Sequence, residues 1–334
     1  MPKQKILAIN FKFIGDVAVC TTALKGVYRH FPEAEIHALV AAEAVPVLSS
    51  NPRIKRVWSL TRARGLRARL ADIDTIRKVR AEDFDLSVDF GLGDRGAIVS
   101  RLVGARKRLG QFSGGSPRWR NWCYHTTIEA LDINRHETVR CFHGLKPLGI
   151  DLPKDLSLEV HHNTRLNDRV PDVAKGAILV HCTASKQNKQ WAIHHLVELN
   201  EIAKKRSLQL VFSGGPSKRE QNHLRNLKSK IEESTVLPAV EELEEFIAIL
   251  SQCKAIISMD TSILHLAAGL GKPTVGIFGS SSSHRWAPQG LAHTSVQGCH
   301  CTCSGHNASC DQQTRCIDTI LPDKVWEAFR SVCK

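Results

Sequence analysis

The chain has 334 residues, 42% of them hydrophobic and 24% charged, which excludes a disordered or fibrous protein and leaves room for two ordinary domains. Lys plus Arg is 46 against 33 for Asp plus Glu, a formal charge of +13. That excess predicts attraction to something anionic: nucleic acid, an acidic membrane face or phosphorylated substrates. No stretch approaches the ~20 apolar residues of a membrane span. The apolar run up to Phe13 is short for a signal peptide and leads straight into Gly15, so a cytoplasmic protein is expected. Six of the 11 cysteines are scattered (Cys20, Cys123, Cys141, Cys182, Cys253 and Cys333), which argues against a disulfide framework.

Lys5 to Phe13 reads as a strand broken by Gly15-Asp16, and Val17 to His30 follows with helical spacing of Val17, Cys20, Leu24 and Val27. Glu35 to Val40 is a short strand and Ala41 to Ser49 an alanine-rich helix, with further strands at Arg53 to Leu60 and Leu86 to Phe90. The second half repeats the rhythm. Strands are expected at Ala177 to His181, Leu208 to Ser213, Ala255 to Ser258 and Thr274 to Phe278. Helices are expected at Ile193 to Lys205, Lys218 to Ile231, Glu242 to Gln252 and Ser262 to Gly269. Such alternation predicts an α/β protein with two doubly wound, Rossmann-like domains facing across a cleft. The expected boundaries are 1–160, a linker over 161–175, and 176–334. Ligands of such sheets bind beyond the carboxyl ends of the strands, where the loops at Gly15, His181, Gly214 and Asp260 fall.

Three of these loops carry candidate chemistry. Asp16 follows Gly15 and is either a helix cap or a general base. The loop His181-Cys-Thr-Ala-Ser-Lys-Gln-Asn-Lys-Gln-Trp191 offers the hydroxyls of Thr183 and Ser185 and the cations Lys186 and Lys189. It is either a diphosphate cradle or a solvated loop, and it lacks the glycine spacing of a P-loop. In Ser258-Met-Asp-Thr-Ser-Ile-Leu-His-Leu-Ala-Ala268, the residues Asp260, Thr261 and Ser262 precede a helix whose first turn carries His265. Amides at that positive helix end favour phosphate, and the alternative is an N-cap with a packed histidine.

Together these segments resemble the bacterial heptosyltransferase family, glycosyltransferase family 9. The resemblance rests on Gly15-Asp16 followed by Thr21-Thr22-Ala23-Leu24, on His181-x-Thr-Ala-Ser with Lys189-x-Trp191, and on Asp260-Thr261-x-x-x-His265-Leu-Ala-Ala followed by Gly-x-Pro273-Thr-x-x-x-Phe-Gly279. Milder matches are Val88-Asp89-Phe-Gly91, Ala105 to Gly110 and the His136-Glu137 helix ending at Pro147 to Ile150. It implies a GT-B fold and an inverting, metal-independent transfer without a cofactor, typically of heptose from ADP-heptose onto the lipopolysaccharide core. Asp16 would be the catalytic base. Lys189, Thr183, Ser185 and the Thr261-Ser262 amides would stabilise the leaving diphosphate. Asp260 and His265 would hold donor phosphate or sugar, and Glu220 is the nearest carboxylate for a ribose contact. Two departures stand out. Ser262 occupies a position that is often glycine in the family, and Ser217-Lys218-Arg219 precede Glu220 where relatives carry an earlier acidic residue.

Arg53 to Arg80 holds ten basic residues and two acidic ones. Because the N-terminal domain takes the acceptor in the resembled family, Arg62, Arg64, Arg67 and Arg69 are expected to read acceptor phosphate and to hold the protein at the anionic cytoplasmic face of the inner membrane, the alternative being a solvated helix face. Arg118-Trp-Arg-Asn-Trp122 interleaves aromatics with arginine, but no recognised nucleic-acid motif accompanies it, and nucleic acid is not an expected partner. Cys299, Cys301, Cys303, Cys310 and Cys316 cluster within 18 positions, at a spacing atypical of zinc sites. Rival readings are a related transferase for another nucleotide sugar, a nucleotide-sugar epimerase on the same plan, and an RNA-binding protein using the positive charge.

Overall fold

The computed structural model describes residues 3–63, 65–113, 115–232, 235–298 and 314–333, with nothing said of the side chains of residues 68 and 69. Arg64, the Arg69 side chain and Cys299, Cys301, Cys303 and Cys310 therefore lie outside the described residues. The chain forms two compact units, Met1–His161 and His162–Lys334. Residues 155–159 belong to the first by contact as well, since Lys25 pairs with Asp155 at 3.2 Å and the Glu159 amide donates to Thr21 Oγ1 at 2.9 Å.

In the first unit the strands are β1 (Lys5–Asn10), β2 (Glu35–Ala41), β3 (Ile54–Leu60), β4 (Leu86–Asp89), β5 (Lys107–Phe112) and β6 (Thr126–Glu129). The helices are α1 (Ile14–His30), α2 (Val45–Leu48), α3 (Leu66–Ala81), α4 (Asp94–Val103) and α5 (Glu137–His143). All pairings are parallel, in the order β3-β2-β1-β4-β5-β6. Chain order reverses beside β1, which places the topological switch between β1 and β4. Leu7, Ile9, Leu39 and Leu60 of the sheet pack with Val79, Val99 and Val103 of α3 and α4 in one core cluster.

The second unit repeats this plan with β7 (Ile178–His181), β8 (Leu210–Ser213), β9 (Ala255–Met259), β10 (Thr274–Phe278) and β11 (His293–Gln297). Its helices are α6 (Ile193–Lys204), α7 (Lys218–Lys228), α8 (Leu243–Gln252), α9 (Ser262–Gly269), α10 (Ser283–Trp286) and α11 (Pro322–Val332). The order β11-β10-β9-β7-β8 puts the switch between β7 and β9. Strands β7 to β10 are buried along their whole length, which is why each reads as a continuous apolar run rather than an alternation. Among the described residues no helix is long and apolar enough to cross a membrane.

The start of α1 corrects one expectation. Gly15-Asp16 does not break the chain ahead of a helix at Val17. The helix begins at Ile14, Phe13 is its N-cap in extended geometry, and the Val17 amide already donates to Phe13 O at 3.0 Å. First-turn amides have no intrahelical partner to lose, so glycine is tolerated there. Asp16 is therefore not the cap. It is the third residue of the first turn, where its negative charge meets the positive end of the helix. The alanine-rich stretch after β2 makes only a 3-10 turn over Ala42–Ala44 and the short α2.

Candidate active site

Each unit gathers charged side chains at the carboxyl ends of its strands, beside its own switch point. In the first, Asp16 of the first turn of α1 sits 3.8 Å from the Lys12 ammonium. Lys12 also reaches the carboxylate of Glu137 at 3.1 Å, and Arg140 closes on the other oxygen of Glu137 at 2.6 Å. Helix α5 can press close enough to make this cluster because Gly26 of α1 has no side chain. A Cβ there would fall 2.7 Å from the Phe142 ring. Burial works against charge on both partners, yet mutual attraction prevails: Glu137 is held below the usual carboxylate range and Lys12 above the usual lysine range. The sequence marked Asp16. It gave no sign that Lys12 and Glu137, 125 positions apart, would join it.

Across the switch, Asp89 ends β4. It is fully buried, and it accepts from the Tyr124 hydroxyl at 2.6 Å and the Gly91 amide at 2.8 Å. Gly96 gives it room, since a Cβ there would lie 2.3 Å from its oxygen. Burial pushes its carboxyl up to about 6, against the pull of these two donors. The unfolded chain titrates near 3.9, so between roughly pH 4 and 6 the folded protein binds the extra proton. Asp89 thus contributes stability that is present at low pH and lost as pH rises through about 6. Asp89→Asn is expected to remove this slope. Relative to wild type, the variant should gain as much as about 3 kcal/mol between pH 4 and 7 in urea titrations, whatever its absolute offset. A constant difference between the two proteins over that range would refute the assignment.

In the second unit the loops after β7, β8 and β9 converge. Lys189 makes a short ion pair with Asp260. Burial pushes the Asp260 carboxyl up, but Lys189, Ser281 and His265 outweigh it, and the group is held below the usual range. Asp260 is thus buried and already engaged by Lys189. Thr261 is the N-cap of α9 but does not cap with its side chain. Its hydroxyl lies 3.1 Å from Ser258 Oγ, which leaves the positive end of the helix, starting at the half-buried Ser262, suited to an anion. His265 is buried one turn in, with its ring 6.3 Å from that of Trp286.

The loop after β7 splits the expected donor group. Ser185 is exposed and Lys189 half-buried. Thr183 is fully buried, its Oγ1 accepting from the Gly215 amide at 2.8 Å and donating to Glu220 at 3.0 Å. Its hydroxyl ties the ends of β7 and β8 together and does not face outward. Glu220 in turn takes the Ser217 hydroxyl at the start of α7. Gly215 permits that approach, since a Cβ there would fall 2.5 Å from Glu220. Sequence reasoning missed Arg219, which donates to Gln190 Oε1 at 3.0 Å and to Ala184 O, clasping the loop from α7. From the other side Trp191 Nε1 donates to Ile320 O at 3.1 Å and Arg315 to Gln187 O at 3.1 Å. His181 is buried and its conjugate acid is pushed down to about 4, so this ring adds no cation at neutral pH.

The expected acceptor arginines are not equivalent. Arg62 is spent on the β1–α1 loop: it donates to Phe11 O and Lys12 O, both at 2.8 Å, pairs with Glu43 and lies over the Phe13 ring at 4.7 Å. Arg67 is exposed on α3. Among the described residues the one cluster with metal-like geometry is Glu35, His37 and Glu82. His37 is already used on both sides, accepting from Trp58 Nε1 at 3.0 Å and meeting Glu35 at 3.0 Å. It is a buried hydrogen-bond relay at the amino ends of the strands.

A family model for glycosyltransferase family 9 (heptosyltransferase) matches residues 73–315. Lipopolysaccharide heptosyltransferase 3 of Escherichia coli (strain K12) is 22% identical over 286 residues, covering 83% of each chain. The crystal structure of the glycosyl transferase family 9 from Veillonella parvula DSM 2008 superposes with a TM-score of 0.81 at 16% identity, over 99% of this chain and 97% of that one. The structure of E. coli heptosyltransferase WaaC with ADP gives 0.79 at 16% identity, over 98% and 100%. The two parallel sheets are those of the GT-B architecture, and the chain is a glycosyltransferase that belongs to glycosyltransferase family 9.

Proposed function

We propose that the chain transfers heptose from ADP-heptose to a lipopolysaccharide core acceptor, with inversion and without a metal. The observation that carries this is Lys189, held by Asp260 beside the amino end of α9 at a switch point. That is a cationic, preorganised place for a leaving diphosphate, in a family whose relatives include lipopolysaccharide heptosyltransferase 3 of E. coli and E. coli heptosyltransferase WaaC with ADP. In the reaction an acceptor hydroxyl attacks the anomeric carbon as the bond to the diphosphate breaks. Asp16 takes the hydroxyl proton, and ADP leaves with the electron pair. Lys189, the exposed Ser185 hydroxyl and the Thr261-Ser262 amides take up the charge that grows on the diphosphate. Asp260 and His265 fix this end of the site, and Glu220 with Thr183 shapes the loop near the nucleoside. Arg64, Arg67 and Arg69 serve the phosphorylated acceptor, and Arg62 steadies the loop that leads to Asp16. The enzyme works as a peripheral protein at the cytoplasmic face of the inner membrane.

The test is a donor panel with a truncated core acceptor, read by mass spectrometry with excess EDTA present. Heptose addition from ADP-heptose at an undiminished rate is expected. Transfer of a different sugar would reassign the donor. Inhibition by EDTA that Mg²⁺ or Mn²⁺ reverses would overturn the metal-free mechanism, because the cations described here would then not suffice.

A further inference from the structure

The outer face built by α3, α4 and the 3-10 turn Arg118–Cys123 is unusual for a globular protein in being both greasy and basic. These elements share one side of the first sheet, with α3 and α4 feeding a common core and the turn bonded to the start of α4 through Arg120 and Asp94. Among the described residues thirteen large hydrophobic side chains are exposed, and seven belong here: Leu66, Leu70 and Ile73 on α3, Ile98 and Leu102 on α4, and Trp119 and Trp122 on the turn. The α3 residues recur at i, i+4 and i+7, one stripe of a helix. Trp122 is 81% exposed and Leu66 74%. The carboxylates of the face are already met by cations: Asp72 by Arg95, Asp74 by Lys78 and Asp94 by Arg120. Arg67, Arg77, Arg101 and Arg118 are exposed, and none of them pairs with a carboxylate among the described residues.

We propose that this face docks on an anionic lipid bilayer, with the Leu66–Leu70–Ile73 stripe and the two tryptophans entering the interfacial layer and the four unpaired arginines meeting lipid phosphate. An interfacial helix needs aliphatic side chains on one side and cations beside them, and tryptophan favours the headgroup level. A nucleic acid would use the arginines and the tryptophans but gains nothing from outward leucine and isoleucine. A second copy of the same face would bring like charges together. The inference gives the peripheral location a surface and is independent of which sugar or nucleotide the enzyme uses.

The test is co-sedimentation of the full chain with vesicles, in the absence of nucleotide and acceptor. Vesicles of equal parts phosphatidylcholine and phosphatidylglycerol are expected to bind the protein, and pure phosphatidylcholine vesicles to bind it far less. Combined Leu66→Ser, Leu70→Ser and Ile73→Ser should weaken binding about tenfold or more while leaving the circular dichroism and melting curve unchanged, since the three side chains are exposed. Combined Arg77→Ser, Arg101→Ser and Arg118→Ser should flatten the salt dependence. Brominated lipid should quench the tryptophan emission, and Trp119→Phe combined with Trp122→Phe should remove most of that quenching. Equal binding by the serine variant, or indifference to lipid charge, overturns the proposal. So does a dimer that the serine changes dissociate, or RNA binding that survives the serine changes while vesicle binding is absent. Because donor turnover on a soluble truncated acceptor is measured separately, failure here leaves the transferase reading untouched, and the reverse holds too.

Discussion

Asp16→Asn is expected to lower turnover by about 10²–10⁴-fold, the usual contribution of a positioned general base, while ADP affinity stays near wild type. The structure sharpens the reason. Asp16 is not the cap of α1, and its carboxylate lies beside Lys12. An amide of equal size keeps the packing and loses the ability to accept a proton. The ammonium of Lys12 would still be balanced by Glu137 at 3.1 Å, so the cluster should not come apart. Steady-state kinetics on the purified variant, with calorimetric ADP binding in parallel, checks both halves. Turnover near that of wild type would reduce Asp16 to a charge at the helix end.

Lys189→Ala should weaken ADP binding and slow the chemical step as well, because the charge it faces grows as the glycosidic bond breaks. A loss of about 10²–10³-fold in kcat/KM is the scale for removing one preorganised donor at such a centre. The variant also strands Asp260, which is buried and is kept ionised chiefly by this lysine. Its carboxyl should then rise, so the variant should also lose stability, and lose it more at neutral than at acidic pH. Lys189→Ala paired with Asp260→Asn removes that second cost. If the double variant recovers stability but not ADP affinity, the lysine acts on the diphosphate. If it recovers both, Lys189 is only the counter-ion of Asp260, and the phosphate site lies elsewhere.

Much of this was legible in the sequence because buried parallel strands advertise themselves. Val180, Phe212, Ile257 and Ile277 sit in apolar runs, and those of Val180 and Ile257 end at loops that carry candidate residues. Strands β5 and β6 escaped notice for the opposite reason. Lys107–Phe112 mixes Arg108 and Gln111 into its pattern, and both are buried, Arg108 donating to Cys123 O at 2.8 Å. Local chemistry nominated Asp16, Lys189 and Asp260, and the structure joins the last two in an ion pair. It did not show that Thr183 is turned inward, since burial continues three residues past the end of β7. It was blind to the Lys12–Glu137–Arg140 cluster and to the Arg219 clasp, which exist only once distant segments meet. Reading Gly15 as a break was an error of propensity: glycine is costly inside a helix and nearly free in its first turn.

The anchors of the donor loop have a consequence for the order in which the enzyme becomes competent. Trp191, Gln187 and His195 are tied to Ile320, Arg315 and Asp318, partners that follow them by 123 to 129 positions. A ribosome releases the chain amino end first, at about 5–20 residues per second, so β7, β8 and β9 are available for pairing while the loop beside them still lacks its later ties. Asp260 and Arg219 can hold one side of this loop early, but its other side is tied only when the segment around Ile320 arrives. A nascent chain stalled before Arg315 would hold much of the second sheet with this loop open on one side, so under the proposed mechanism donor capture would wait until synthesis has passed that point.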